Sequence, residues 1–141
     1  KSGQVVSLLD IYPTLTDLCG LPKPEKVEGK SLVPLLKNPE NTWEKPVLNT
    51  WYYKNHAVIT NDWRYIRYRD GSEELYNHVN DPGEHQNLAN DPQYTHVIEE
   101  LKKWLPENNA LPAGDDKWEG DKYTRMLKEW KKDSLPFWLR E

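Results

Sequence analysis

The segment from Trp51 to Asp91, WYYKNHAVITNDWRYIRYRDGSEELYNHVNDPGEHQNLAND, does most to restrict the fold. Short runs rich in Tyr, Trp, Ile and Val are broken at Asn61-Asp62 and again at Asp70-Gly71, both turn dipeptides that accept positive φ. With Pro46 to Tyr53 as a first strand, the pattern predicts an antiparallel meander of three or four strands.

If both breaks are two-residue turns, Thr60 faces Trp63, His56 faces Arg67 and Arg69 faces Ser72, which sets Arg67 opposite Glu74. Side chains alternate between the two faces of a strand. One face then carries Ala57, Ile59, Ile66, Tyr68 and Leu75, and the other carries His56, Val58, Thr60, Trp63, Tyr65, Arg67, Glu74 and Tyr76. The first is the better core candidate and needs a cover. A helix from Pro92 to Leu105 supplies it: Asp91 suits the N-cap, Pro92 the first helical position, and Val97, Ile98, Leu101, Trp104 and Leu105 recur at helical spacing before Pro106. The expected fold class is α+β.

Upstream, Val6 to Gly20 reads as a helix capped by Asp10, with Pro13 in its first turn and Gly20 just past its end. Leu8, Leu9, Ile11, Tyr12, Leu15 and Leu18 cover more than one stripe, as in a helix packed on a larger body. A loop over 21–29 leads to a short helix from Ser31 to Leu36 that Ser31 can cap. Cys19, at the end of the first helix, reads as a small buried hydrophobe.

Three blocks follow from this: 1–45 (helix, loop, short helix), 46–106 (sheet plus helix) and 107–141, an extension with a loop at Asp115 to Gly120, a helix over Lys122 to Lys132 and an apolar terminal tag. The 141 residues allow one domain. Eleven prolines and a mean hydropathy of −0.96 describe a loop-rich, solvent-facing chain, and no apolar run reaches membrane-spanning length. A net charge of −4 gives no general reason to expect nucleic acid. A single cysteine excludes an internal disulfide and leaves the compartment open.

The phrase GSEELYNHVNDPGEHQNLAND closely resembles the "elYDl.nDP.E..Nla" segment near the C-terminus of type I sulfatases, members of the alkaline phosphatase-like superfamily. Val6 to Leu15 is similar to that family's "vs.vDl.PTll.laG" helix, and Glu28 to Leu36 to its "dG.SL.pll" segment; the three occur in the family's order. The wording of Asn55 to His78 is closest to the sulfatases that resemble iduronate-2-sulfatase. The resemblance implies that residues 1–45 form the edge of a larger catalytic α/β domain and 46–106 the C-terminal subdomain. It further implies a sulfated carbohydrate substrate, the upstream catalytic domain as partner, and an exported protein, whether periplasmic, extracellular or lysosomal.

Type I sulfatases use a formylglycine made in a C/S-x-P/A-x-R motif beside a divalent cation, usually calcium. No such motif stands here: Cys19 is followed by Gly-Leu-Pro-Lys. The expectation is a C-terminal part that shapes the substrate pocket, with no catalytic or metal-binding residue of its own; calcium and formylglycine belong to the missing catalytic domain.

Within this frame the substrate-binding candidates are His56, Lys54, Trp51 and Tyr53. An imidazole can hydrogen-bond a sulfate ester or a uronate carboxylate, a Lys is a plain anion ligand, and aromatic faces stack on sugar rings. The bland readings are a surface histidine paired across the strand and ordinary strand aromatics. The basic and aromatic residues alternating in Trp63 to Arg69 look like a nucleic-acid surface, but Arg64 and Arg67 point to opposite faces and Glu73 and Glu74 lie across the hairpin, so structural pairing is the better reading. Asp81, Pro82 and Glu84 read as turn chemistry, and His78, His85 and His96 lack metal-ligand spacing. Two functions remain in view: part of a sulfate-ester hydrolase, or of a related phosphonate or phosphodiester hydrolase; and a non-catalytic carbohydrate- or partner-binding module.

Overall fold

The computed structural model describes residues 1–22 and 25–109. The elements expected beyond residue 109 lie outside the described residues. The fold is α+β. Strands β1 (Val47–Trp51), β2 (Asn55–Ile59), β3 (Trp63–Arg67) and β4 (Glu73–Asn77) form one antiparallel sheet in the order β1-β2-β3-β4. Helix α1 (Ile11–Leu18) follows a 3₁₀ turn at Leu8–Asp10, α2 is Val33–Lys37, and α3 (Thr95–Lys102) follows a 3₁₀ turn at Pro92–Tyr94.

The turn at Asn61-Asp62 has two residues as expected: the Thr60 N–H donates to the Trp63 carbonyl at 2.8 Å, and His56 stands opposite Arg67. The next turn is longer by one. The Tyr68 N–H donates to Ser72 O at 2.9 Å, the Gly71 N–H returns to Tyr68 O at 3.0 Å, and Gly71 has φ +91°. Arg69-Asp70-Gly71 is therefore a three-residue loop with glycine in the left-handed position, a common hairpin geometry. Arg67 pairs with Glu73, not Glu74, and Tyr65 with Leu75.

That single residue decides which face is the core. A slip of one turns over every side chain of a strand, so Leu75 joins Val58 and Tyr65 rather than Ala57 and Ile66. Val58, Tyr65 and Leu75 are fully buried and pack on Ile98 and Leu101 of α3, with Leu48 and Val97 at the margin. The face expected to be exterior is the interior. Its polar residues are satisfied at the edge of the core: the Tyr65 hydroxyl donates to Glu73 Oε1 at 3.0 Å, Arg67 forms an ion pair with the same oxygen, and Lys102 of α3 reaches it at 3.1 Å. Burial, then the Glu73 charge working against Arg67, pushes the Tyr65 phenol up to about 12. Burial alone would raise the Glu73 carboxyl, but its bonds with Lys102, Tyr65 and Arg67 outweigh that and hold it below the usual range.

The helix over the sheet starts as its sequence predicts, with Asp91 Oδ1 accepting the Gln93 N–H at 3.0 Å. Its stripe is narrower than expected: Trp104 is exposed. The DPGEHQNLAND segment seals β4. Asn87 Oδ1 accepts the Leu75 N–H at 3.0 Å, and the Leu88 N–H donates to Leu75 O at 2.8 Å, so Leu75 has both backbone groups paired on this side. Glu84, at φ +56°, bridges Arg64 at 2.9 Å and His78 at 2.6 Å.

The N-terminal segments are joined through Asp10, which is 1% exposed. It is not the side-chain cap of α1. Ser7 caps the preceding 3₁₀ turn, with the Leu9 N–H on Ser7 Oγ at 3.2 Å and the Ser7 N–H on Asp10 Oδ2 at 2.8 Å, a capping box. Asp10 Oδ1 accepts the Lys30 N–H at 2.8 Å, and Thr14 Oγ1 accepts that of Leu32 at 2.8 Å. The two upstream signatures of the sequence are thus two halves of one clasp. Gly29 lies so close that a Cβ there would stand 2.6 Å from the Leu9 carbonyl carbon and 3.0 Å from Pro13 Cγ. The apolar side chains of the 3₁₀ turn and α1 point outward: Leu8, Leu9, Ile11, Tyr12, Leu15 and Leu18 are all exposed, as is Cys19, where the sequence predicts a buried residue.

Candidate functional site

The connection between β1 and β2 is the three-residue loop Tyr52-Tyr53-Lys54, closed by Trp51 opposite Asn55. Tyr52 has φ +55° and Lys54 φ +64°, the left-handed region that side chains other than Gly and Asn avoid at a cost of about 1 kcal/mol or more each. The strained backbone holds an unusual group of side chains at the tip. Trp51 is 62% exposed and meets Tyr52 edge-on, with ring centroids 4.6 Å apart. Lys54 Nζ lies 5.2 Å from the centre of the Tyr53 ring, and the Arg69 guanidinium 5.6 Å from the same ring. Large apolar rings in water beside two cations suit a ligand with flat apolar faces and negative charge.

His56 stands directly behind the tip but on the interior face, 6% exposed. Nε2 donates to Asn109 Oδ1 at 2.7 Å, and Nδ1 accepts from the Thr50 hydroxyl at 2.9 Å. Both ring nitrogens are engaged within the chain, so a direct bond to a ligand requires one of these to open. The structure therefore brings Trp51, Tyr53 and Lys54 together at the surface and sets His56 beneath them. Tyr52 and Arg69 complete the group and were not singled out from the sequence. Their signal was indirect: the aromatic run WYYK at a turn, and an Arg immediately before the Asp-Gly break.

Several charged groups away from the tip are paired locally. Arg64 and Arg67 are paired with Glu84 and Glu73, and Asp81 has its carboxyl held low by the Gln86 and His85 backbone N–H groups. Among the described residues no three His, Cys, Asp or Glu side chains converge as a metal site. No helix among these residues is long and apolar enough to cross a membrane.

A four-stranded antiparallel sheet crossed by one helix, and entered from a helix with an open apolar side, has the plan of a sulfatase C-terminal subdomain. A 2-O GAG sulfatase aligns with TM-score 0.59 and 27% identity over 90% of this chain and 26% of its own. Residues 1–110 match the family described as N-sulphoglucosamine sulphohydrolase, C-terminal, and the chain belongs to that family. A sulfatase of Formosa agariphila is 42% identical over 110 residues, and the Delta 4,5-hexuronate-2-O-sulfatase of Bacteroides thetaiotaomicron is 35% identical over 108. The matches take in 78% and 70% of this chain but only 22% of either relative. A phosphonate monoester hydrolase of Agrobacterium radiobacter shares the fold at TM-score 0.54 and 23% identity.

Proposed function

We propose that this chain is the substrate-facing C-terminal part of a sulfuric ester hydrolase that acts on a sulfated glycan, with the nucleophile and metal in the preceding catalytic domain. The observation that carries the reading is the exposed Trp51–Lys54 tip in a chain of sulfatase C-terminal family: rings and a cation at the surface on a loop with two non-glycine residues at positive φ. Strain of this kind is kept where function needs the geometry. Trp51 and Tyr53 stack on sugar faces, Lys54 attracts the anionic group, and His56 fixes the tip from below through Thr50. The exposed apolar side chains from Leu8 to Leu18, on the 3₁₀ turn and α1, dock on the catalytic domain; a contiguous run of exposed apolar side chains is the mark of such an interface. In this division of labour residues 1–45 belong to the catalytic domain's edge and 46–106 to the subdomain. The hexuronate-2-O specificity named for one relative makes a 2-O-sulfated uronate the first substrate to try.

The test is hydrolysis by the full-length protein of a 2-O-sulfated uronate disaccharide beside matched sulfate and phosphate monoesters. Release of sulfate from the disaccharide, with sulfate esters preferred to phosphate esters, is the expected result. Preference for phosphate or phosphonate esters would move the protein to the related hydrolases, and no turnover of any ester would favour a binding module.

A further inference from the structure

The tip and the N-terminal clasp lie at opposite ends of one hairpin. At the tip Trp51 pairs with Asn55; at the other end Val47 pairs with Ile59, beside the turn at Asn61-Asp62. There the sheet meets the N-terminal part at a loosely filled seam. The side chains that build the core under the sheet all come from between Leu48 and Leu105. A cleft of about 310 Å³, lined by Val5, Trp43, Lys45 and Asn61, and one of about 180 Å³, lined by Asp10, Glu28, Lys45 and Leu48, run along the seam. Polar contacts bridge it. Asn61 uses both ends of its amide: Oδ1 accepts the Val5 N–H at 2.9 Å, and Nδ2 donates to Gln4 Oε1 at 2.9 Å. Asn61 is not among the residues at positive φ, so the turn itself does not call for an asparagine. Lys45 precedes Pro46, whose ring fixes φ at the entry to β1, and its ammonium donates to the Glu28 carbonyl at 2.5 Å and stands 3.9 Å from the buried Asp10 carboxylate. Both side chains thus anchor on the clasp. Over the length of β1, about 13 Å at about 3.3 Å per residue, a tilt of about 10° at the seam displaces the tip by about 2 Å.

We propose that Asn61 and Lys45 are positioning residues for hydrolysis of the glycan: they fix the tilt of the β1–β2 hairpin against the clasp, and so set where the tip holds the bound sulfate ester relative to the nucleophile. This inference rests on the reading that the tip faces substrate and that α1 docks on the catalytic domain, and it gives a role to two residues at the end of the hairpin away from the tip. Their loss has a particular signature. The sugar contacts at the tip survive, so binding survives, while the ester is held askew; a misplacement of about 1 Å can cost up to about a hundredfold in rate.

The experiment is steady-state kinetics of the full-length protein and its Asn61→Ala, Asn61→Asp, Lys45→Met and Lys45→Arg variants. The probes are a 2-O-sulfated uronate disaccharide and 4-nitrophenyl sulfate, which is too small to span from the reacting ester to the tip. Asn61→Ala and Lys45→Met are expected to lower kcat on the disaccharide about tenfold with KM within about twofold, and to leave 4-nitrophenyl sulfate within about twofold of the parent. Asn61→Asp keeps the acceptor for the Val5 N–H and Lys45→Arg keeps the charge, so each should retain more of the rate than its partner variant. Asn61 sits on an exposed turn, so its variants carry the test even if Lys45→Met, beside the buried Asp10, fails to fold. A role in stability alone would lower kcat equally on both probes, in step with the folded fraction, and would overturn the proposal; so would parent-like kinetics in both Asn61→Ala and Lys45→Met. Trp51→Ala measured in parallel separates the two levels. If it raises KM for the disaccharide while the seam variants behave as the parent, only the positioning role fails; if it is silent, the tip reading fails and this inference with it.

Discussion

Gly29→Ala should weaken the fold far more than its distance from the sheet suggests. The added methyl would stand 2.6 Å from the Leu9 carbonyl carbon and 3.0 Å from Pro13 Cγ, and the first of these is rigid backbone. Relief requires the 28–31 loop to withdraw from α1. That movement stretches the 2.8 Å bond from the Lys30 N–H to Asp10 Oδ1 and strips a donor from a carboxylate that is almost wholly out of solvent. Overpacking of this kind costs about 1–3 kcal/mol, and a hydrogen bond to a buried charge about 1.5–3 kcal/mol. Because one movement produces both effects, about 3 kcal/mol is the reasonable expectation. In urea, with a slope of about 2 kcal/mol per molar, the midpoint of the transition reporting on this domain falls by about 1.5 M. Gly3→Ala is the control, since no atom lies within 4 Å of its new methyl group. If Gly29→Ala leaves the midpoint where Gly3→Ala leaves it, the clasp between α1 and the loop is wrong.

Tyr65→Phe deletes the hydroxyl that donates to Glu73 and should destabilise by about 1 kcal/mol in chemical denaturation, with no change in the sheet. Glu73 is held below its ordinary value, so its stabilising contribution is present above about pH 4.5 and is lost as pH falls through the lower folded value; Glu73→Gln should flatten that part of an acid-stability profile, and an unchanged profile would contradict the network. The raised Tyr65 phenol acts in the other direction: its contribution is intact below about pH 10 and disappears as pH climbs toward 12, a loss that Tyr65→Phe should remove. Leu15→Asp on the open side of α1 should sharply reduce the yield and thermal stability of the full-length protein, because a charge replaces a side chain whose burial is worth about 2 kcal/mol; parent-like behaviour would show that this side meets water.

The meander, its order and the covering helix were legible because strand alternation, turn dipeptides and the Asp91-Pro92 start are local signals. The core face was not. Arg-Asp-Gly-Ser can close a two- or a three-residue loop, both with glycine at positive φ, and only the bond from the Tyr68 N–H to Ser72 O, with Arg67 opposite Glu73, settles it. A two-residue turn sets β4 one residue out and moves Leu75 to the opposite face, while His56 and Arg67 give the true core face a polar appearance. Charged side chains at strand ends do not exclude a face when a hub such as Glu73 pairs them. Cys19 was misplaced for a different reason: the helix that carries it buries its polar side, Thr14 and Thr16, against the α2 region and turns its apolar side outward. At the tip, the residue types at 51–54 were readable, but φ values of +55° at a Tyr and +64° at a Lys have no sequence signature, and Arg69 reaches the site only through tertiary pairing.

The central claim is that the exposed tip meets the glycan while the chemistry lies elsewhere in the protein. Its most direct test is the combined Trp51→Ala, Lys54→Ala variant of the full-length protein, assayed on a sulfated disaccharide and on a small aryl sulfate. The account predicts a KM for the disaccharide raised about tenfold or more, with the aryl sulfate reaction within about twofold of the parent. Parent-like kinetics on the disaccharide, from a correctly folded variant, would contradict it.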